Sequence, residues 1–276
     1  MPRSLGKLIA LLLLKISFIR AGIFKLYSPA ILAEYKKLNW TQFSELTQLL
    51  RVETSPYGLV RKGSKFDGGY VIADNLNPDD FLLSFGVGTD VSFEHSLSSS
   101  IKGIHLYDHT VDELPTQISN ASFFKTGLAV KSGRNMTDLE AALSEMPAGS
   151  ELILKIDIEG DEWKILDEVS SEILKKFKQI VIEFHQLESI DSEFNFQLFF
   201  RVFKKIRLTH NVINVHGNNW DSFKVIHGQI WANALEVSYL RTDFFPEKKI
   251  PEFPILNLPN NPERADYNLG INLGSQ

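Results

Sequence analysis

Residues 151–163 read ELILKIDIEGDEW, and this stretch decides the class of fold. Its first seven residues are a short, mostly apolar run of the kind that forms a buried strand. The run ends at Asp157, and Glu159 and Gly160 follow, so two carboxylates stand where a glycine lets the chain turn. A helical pattern begins near Glu162. A strand, a polar turn and a helix in this order predict β–α–β units with parallel strands.

The same alternation extends in both directions from this stretch. Further strands are predicted at residues 81–85, 104–107, 122–126, 179–184, 212–215 and 234–240. Helices are predicted at residues 93–102, 111–119 and 194–206, and one is predicted to begin at Thr137, where Glu140 completes the spacing of a capping box. Residues 218–231 are interpreted as a loop. These elements predict a doubly wound α/β sheet that ends in an antiparallel strand pair, with ligands at the carboxyl ends of its strands.

Composition excludes several classes of protein. The chain has 276 residues, of which 43% are hydrophobic and 23% charged, which is typical of a globular protein. It has no cysteine, which excludes disulfides, thiolate zinc sites, iron–sulfur clusters and a cysteine nucleophile. A net charge of −5 argues against a nucleic-acid partner, because such proteins carry a basic face.

The N-terminus differs in character from the rest of the chain. Apolar residues 8–14 and 16–19 are interrupted by Lys15 and Arg20, which disfavours a membrane span. A signal peptide is disfavoured because no small-residue cleavage site follows. The expected alternatives are a helix packed on the domain and a basic helix that touches a membrane surface through residues 1–30.

The chain is therefore divided into three parts by the sequence. Residues 1–60 are predicted to form a helical extension, residues 61–245 the ligand-binding domain, and residues 246–276 an irregular tail. A cytoplasmic location is expected, with or without membrane association.

The first predicted strand runs into the turn SFGVGTD at residues 84–90. Gly86 and Gly88 allow the backbone to approach a ligand closely. Val91 stands at the third glycine position of the dinucleotide pattern, so that pattern is incomplete. The turn indicates either a ligand loop or a plain tight turn.

Asp108 lies 20 residues after Gly88 and directly follows the second predicted strand. In doubly wound folds an acid at this place accepts hydrogen bonds from ribose hydroxyls. Capping of the next helix is the alternative. The combination of turn, spacing and strand favours a nucleoside ligand.

The candidates for proton transfer are Asp157, Glu159, His185 and His216. Adjacent strands are expected to bring His185 near Asp157, and histidine titrates near neutral pH. Two histidines with nearby carboxylates are also able to hold a divalent metal. No ligand spacing typical of a metal site accompanies them, so no metal is predicted.

Several segments together resemble the FkbM-type methyltransferases, which use S-adenosylmethionine (SAM). The string KIDIEGDEW at residues 155–163 looks like the signature of that family. Residues 83–94, LSFGVGTDVSFE, resemble the SAM-binding turn of the branch related to methyltransferase-like protein 24. Residues 67–71 and 183–185 also match, so the resemblance covers about residues 61–241. It departs after the second strand, where Tyr-Asp-His replaces the more usual Phe-Asp-Pro.

The resemblance implies a class I methyltransferase, a Rossmann-like fold with seven strands of which the last is antiparallel. The implied activity is SAM-dependent O-methylation of a hydroxyl on a sugar, a glycan or another small molecule. The implied SAM site comprises Ser84, Phe85, Gly86, Gly88 and Asp90 for the methionine part, Asp108 for the ribose, Gly127 and Leu128 for the adenine, and Asp157.

The implied catalytic base is Asp157 or His185, with Glu159 orienting one of them and His216 ranked lower. Trp220, Phe223 and Trp231 are able to stack on a sugar or to fill the core. A non-catalytic protein with this fold, an NAD-dependent oxidoreductase and a membrane-associated interaction protein stay open as alternatives.

Overall fold

The computed structural model describes residues 38–245 and 256–269. The predicted N-terminal helix with its membrane contact, and both ends of the tail, lie outside these residues. None of the described helices is long and apolar enough to cross a bilayer.

In chain order the strands are β1 (Leu59–Gly63), β2 (Gly69–Ala73), β3 (Phe81–Phe85), β4 (Gly103–Tyr107), β5 (Ala121–Phe124), β6 (Gly127–Leu128), β7 (Met136–Thr137), β8 (Leu152–Ile156), β9 (Phe177–Phe184), β10 (His210–Gly217), β11 (Phe223–Ile226), β12 (Gln229–Ala232) and β13 (Leu235–Arg241). The α-helices are α1 (Trp40–Leu49), α2 (Ser92–Leu97), α3 (Leu139–Ser144), α4 (Glu162–Glu168), α5 (Ser171–Leu174) and α6 (Glu193–Arg207). Short 3-10 helices span Leu187–Asp191 and Thr242–Phe244.

Seven of the strands form one sheet in the order β10-β13-β9-β8-β3-β4-β5. Strands β3, β4, β5, β8 and β9 pair in parallel, and β13 is antiparallel to both of its neighbours. Strand β13, the last of the described strands, is thus inserted antiparallel between β9 and β10. This is the arrangement of a class I methyltransferase, and the predicted fold class is confirmed.

Both faces of the sheet are buried, because the side chains on each face of its central strands are mostly apolar. In β3, Leu83 and Phe85 join the core that contains α4 and α6, whereas Leu82 joins the core that contains α2 and Tyr70 of β2. The β1–β2 hairpin therefore covers part of one face. Its β1 strand crosses the proposed boundary at residue 60, and the division into three parts stays a prediction.

Four local predictions need correction. Residues 111–119 are irregular and not helical, since Pro115 disfavours helical geometry at Leu114. The helix predicted at residues 93–102 ends at Leu97. Thr137 is the last residue of β7, and Asp138 caps α3 through a 2.9 Å bond from the Ala141 amide, so the capping box is wrong by one residue.

The predicted loop at residues 218–231 contains the hairpin β11–β12. His227 and Gly228 have φ values of 49° and 80°, as a tight two-residue hairpin turn requires. Histidine is an uncommon first residue for such a turn, and the hairpin was therefore missed.

Candidate functional site

A cavity of about 800 Å³ lies at the carboxyl edge of the sheet. Most of the residues proposed from the sequence line it: Gly86, Gly88, Asp90, Asp108, Gly127, Leu128, Asp157, Glu159 and His185. Ser84, Phe85 and His216 are not part of its wall. The parallel strands thus bring together residues that are up to about a hundred positions apart in the chain.

The glycine turn after β3 fits closely against the end of β8. Gly86 has a φ of 75°, and a Cβ atom built on it would lie 1.6 Å from the carbonyl oxygen of Asp157. No side chain fits there. Lys155 fixes the other side of the turn, since its Nζ donates to the Gly86 carbonyl oxygen at 2.7 Å.

Asp108 lines the cavity, but its carboxylate is already engaged. Oδ2 accepts from the amides of Val87 and Gly88 at 3.0 and 2.8 Å, and Oδ1 accepts from the amide and hydroxyl of Thr110 at 2.7 and 2.6 Å. Burial opposes the charged form, yet these bonds outweigh it and hold the pKa of Asp108 below its ordinary value. Four bonds fill the lone-pair sites of a carboxylate. Asp108 therefore shapes the glycine turn, and a ribose would have to displace Thr110.

Glu94 of α2 is a site residue that the sequence analysis did not single out. Its side chain is 1% exposed and lines the cavity, and its Oε1 accepts from the Ser84 hydroxyl at 2.5 Å. Its Oε2 has no hydrogen-bond partner among the described residues. Burial accordingly raises the pKa of Glu94, against the lowering influence of Lys155. An unsatisfied buried oxygen beside a cavity is a place for a cationic or hydrogen-bond-donating ligand group.

Ser84 and Phe85, two strand-end residues proposed for the SAM site, lie behind the residues that line the cavity. Ser84 is fully buried and holds Glu94, while Phe85 stacks on Tyr107 with 4.7 Å between ring centroids. Their contribution to the site is indirect.

A second group of polar side chains follows β8 and β9. The Tyr70 hydroxyl lies 3.0 Å from Asp157 Oδ2 and 3.2 Å from Glu183 Oε2, so it is within hydrogen-bond distance of both carboxyl groups. Lys155 Nζ lies 3.4 Å from the same Asp157 oxygen. Burial opposes the ammonium form of Lys155, but Asp157 and Glu94 outweigh it and raise the pKa of that amine.

Glu183 is the more buried of the two carboxylates that contact Tyr70. Burial, followed by repulsion from Asp157 and Glu236, raises its pKa well above the ordinary value. The Asn218 amide donates to Glu183 Oε1 at 2.7 Å and partly compensates. Tyr70, Lys155 and Glu183 were present in the motifs that carried the family resemblance, but their roles depend on contacts that spacing does not show.

His185 lies beside Asp157, as adjacent strands were expected to place it. Its Nε2 is 3.8 Å from Asp157 Oδ1, and its Nδ1 is 3.3 Å from Glu162 Oε1. Burial alone would lower the pKa of His185, but Glu162, Glu183 and Asp157 raise it to about 9. The ring is then an imidazolium at neutral pH in the free protein. A general base must be unprotonated, so this charge state disfavours His185 as the base, and its assignment stays a prediction.

His216 is held apart from this group. Its ring lies between Glu236 and Asp266, with nitrogen-to-oxygen distances of 3.1 Å on both sides. These two carboxylates outweigh burial and raise the pKa of His216 to about 9. His216 does not reach the cavity, so its proposed role as a lower-ranked base has no geometric support.

The three loop aromatics behave differently from one another. Trp231 is fully buried, and Phe223 contacts the ring of Tyr267 at 5.2 Å. Trp220 lines the cavity and is 54% exposed. Only Trp220 of the three is therefore placed to stack on a ligand.

No model of a known protein family matches the chain, and no curated protein matches its sequence. Solved structures do match. An rRNA methylase from Streptococcus thermophilus is 10% identical with a TM-score of 0.39, and the match covers 60% of this chain and 89% of that one. A fibrillarin/Nop5p complex is 13% identical with a TM-score of 0.39 over 69% of this chain and 93% of that one. The N-methyltransferase NodS from Bradyrhizobium japonicum is 11% identical with a TM-score of 0.32 over 75% of this chain and 98% of that one.

At such identities and TM-scores these structures do not bear on ligand or acceptor. The fold assignment is carried by the strand order itself. Membership of the FkbM-type family stays a prediction, as does the expectation that the partner is not a nucleic acid.

Proposed function

We propose that this protein is a SAM-dependent methyltransferase that methylates a hydroxyl group of a sugar, a glycan or another small molecule. One observation carries the proposal. In a sheet with class I methyltransferase strand order, the carboxyl edge holds a cavity whose wall joins the glycine turn, Asp108 and the unsatisfied oxygen of Glu94.

The charge of the cavity favours a cationic ligand. Its wall carries the acids Asp67, Asp90, Glu94, Asp108, Asp157, Glu159, Asp161, Glu183 and Asp221. Lys155 is the only lysine or arginine among the described residues of this wall. A sulfonium donor gains from such a field, whereas the pyrophosphate of NAD or the backbone of RNA would be repelled.

The residues present fit the parts of SAM. Glu94 would receive the ammonium of the methionine part through Oε2, and Gly88 leaves open space above the turn. Asp108 would hold the ribose through Oδ1 in exchange for the Thr110 hydroxyl. Gly127 and Leu128 would flank the adenine, with His109 beside Gly127.

When bound, SAM supplies a methyl group that is already activated for transfer. The chain then has to orient the acceptor hydroxyl and take its proton, and a positioned base contributes roughly 10² to 10⁴ in rate. Asp157 is the proposed acceptor of that proton. Tyr70 and Lys155 occupy its Oδ2, and its Oδ1 receives no hydrogen bond from a described residue.

The acceptor would enter beside Trp220, whose exposed ring offers an apolar face to a sugar. Asp221 and Asn218 also line this side of the cavity and offer polar groups to neighbouring hydroxyls.

Calorimetry with SAM, S-adenosylhomocysteine and NAD tests the proposal directly. We expect the first two to bind and NAD not to bind, and Glu94→Gln to weaken SAM at least tenfold. Asp266→Asn, which changes a carboxylate outside the cavity, is the matched control. Binding of NAD without SAM would overturn the proposal. If SAM binds, transfer of its labelled methyl group to a panel of sugars separates an enzyme from a non-catalytic protein.

A further inference from the structure

His185 faces three carboxylates on one side of its ring and is hydrogen-bonded to none of them. From Nε2 the distances are 3.8 Å to Asp157 Oδ1, 3.7 Å to Glu159 Oε2 and 3.7 Å to Glu183 Oε1. Hydrogen bonds between nitrogen and oxygen are about 2.7–3.2 Å long. Asp157, Glu183 and His185 thus face one another across a gap, with their ligand atoms within 4.8 Å of one another.

The other side of the ring is fixed by a group outside this set. Glu162 is fully buried, and its Oε1 lies 3.3 Å from His185 Nδ1 and accepts from the His185 amide at 2.6 Å. Its Oε2 accepts from the Gly160 amide at 2.8 Å. A carboxylate that holds one ring nitrogen leaves the other directed at the acids, and this is how proteins orient a metal-binding histidine.

On Asp157 and Glu183, the carboxylate oxygens that face away from His185 already have a hydrogen-bond partner. Tyr70 bonds to Asp157 Oδ2 and to Glu183 Oε2, so the opposite oxygens, Oδ1 and Oε1, are the ones nearest His185. Lys155 also contacts Asp157 at Oδ2, so it lies on the side of this carboxylate that faces away from His185.

We propose that Asp157, Glu183 and His185 bind one divalent cation of the Mn²⁺ type. Each of the three offers a ligand atom within 4.8 Å of the others. Ligand bonds of about 2.0–2.3 Å allow separations of up to roughly 4.5 Å across an ion, so small shifts bring all three into contact. Two carboxylates with one neutral imidazole suit a divalent ion of intermediate hardness, and binding would release the proton that His185 carries in the free protein. Glu159 is exposed and lies 3.7 Å from His185 Nε2, but it is not one of these three ligands.

The role of this ion deepens the proposed function and rests on it. The ion would hold the acceptor's hydroxyl oxygen, and because Asp157 would then bind the ion, Glu159 would take the hydroxyl proton in place of Asp157. The new bond would form between that oxygen and the methyl carbon as the carbon–sulfur bond of SAM breaks, which yields the methyl ether and S-adenosylhomocysteine. The ion binding itself is independent of SAM.

Titration of Mn²⁺ into the chelator-treated full chain, followed by calorimetry and electron paramagnetic resonance, tests the site. We expect one ion per chain. Asp157→Asn and Glu183→Gln should each weaken binding at least tenfold, whereas Asp266→Asn, which alters a contact of the buried His216, should leave it unchanged. Pulsed resonance should show coupling to an imidazole nitrogen that His185→Gln abolishes, with circular dichroism confirming that each variant is folded.

The proposal is overturned if the folded wild-type chain shows no saturable Mn²⁺ binding, or if binding is equal in the wild type and Asp157→Asn. Failure here is distinct from failure of the proposed function, because SAM binding is measured separately and without metal. If transfer is observed, removal of metal should lower its rate at least tenfold and Mn²⁺ should restore it.

Discussion

The Lys155 ammonium lies 2.7 Å from the carbonyl oxygen of Gly86 and thereby ties the end of β8 to the glycine turn after β3. It is 4% exposed and stands between the carboxylates of Glu94 and Asp157, both of which raise its pKa. One cation therefore joins the part of the cavity proposed for the donor to the part proposed for the acceptor.

Lys155→Met should destabilise the fold and weaken SAM binding together. Removal of the cation leaves buried charge without compensation, which costs on the order of 3 kcal/mol. Urea unfolding measures the stability, and calorimetry measures the affinity. Lys164→Met is the control, since Lys164 pairs with Asp161 at the surface and should change the free energy of unfolding by less than about 0.5 kcal/mol. Equal effects of both substitutions would contradict the role given to Lys155.

Gly86→Ala should prevent the turn from forming as it is. The added methyl group would overlap the Asp157 backbone and would also sit at a positive φ, so a loss of several kcal/mol or failure to fold is expected. Gly133→Ala is the matched substitution, because nothing lies within 4 Å of its Cβ position and its φ is not positive. Thermal unfolding of the two variants compares them, and a stable Gly86→Ala variant would refute the close approach.

Asp108→Asn should weaken SAM binding about tenfold, because it replaces an acceptor by a donor facing backbone amides. Thr110→Val separates the two roles of Asp108. It removes the hydroxyl that competes for Oδ1, so SAM affinity should rise or stay equal if Oδ1 takes the ribose. A drop in affinity for Thr110→Val would show that the Thr110 hydroxyl is required as it stands. Both affinities are measured by calorimetry.

His216 should make stability depend on pH in the alkaline range. Its pKa is about 9 in the fold and about 6.5 in the unfolded chain, so its contribution is complete below pH 6.5 and is lost as the pH rises through 9. The ion pairs with Glu236 and Asp266 supply this contribution, with Arg61 as the further charge acting on both acids.

The free energy of unfolding should fall by up to about 3 kcal/mol more in the wild type than in His216→Gln between pH 6 and 9.5. Urea titrations at both pH values measure the difference, and parallel pH curves would contradict the prediction. The variant comparison is needed because His185 titrates in the same range.

The positions of the main-sheet strands and the doubly wound class of the fold followed from the sequence, because they depend on apolar runs and on short connections. The seven runs of the main sheet, among them ELILKID and QIVIEF, are the signals that periodicity reads best. The β1–β2 and β11–β12 hairpins were not predicted from the sequence, because their strands are short and their turns lack an Asn-Gly pair. The helix predicted at residues 111–119 does not form, because Pro115 disfavours helical geometry at the residue before it.

The site was partly predictable for the same reason. Residues that end parallel strands share one edge, so Asp157 and His185 were expected together. What could not be predicted was protonation and orientation. The charge of His185 depends on Glu162, which the sequence indicates only as the start of a helix. The charge and position of His216 depend on Asp266, fifty positions away in the tail.

The segment at residues 256–269 has no helix or strand, yet it closes one side of the molecule. Asn260 bonds to Asp67, Asn219 holds the Asn261 and Arg264 carbonyls, and Leu269 enters the apolar interior. A shortened version cut before residue 256 would expose the Glu236–His216 pair to water. Expression trials that trim this end for crystallisation should therefore yield a less soluble and less stable product than trials that retain it.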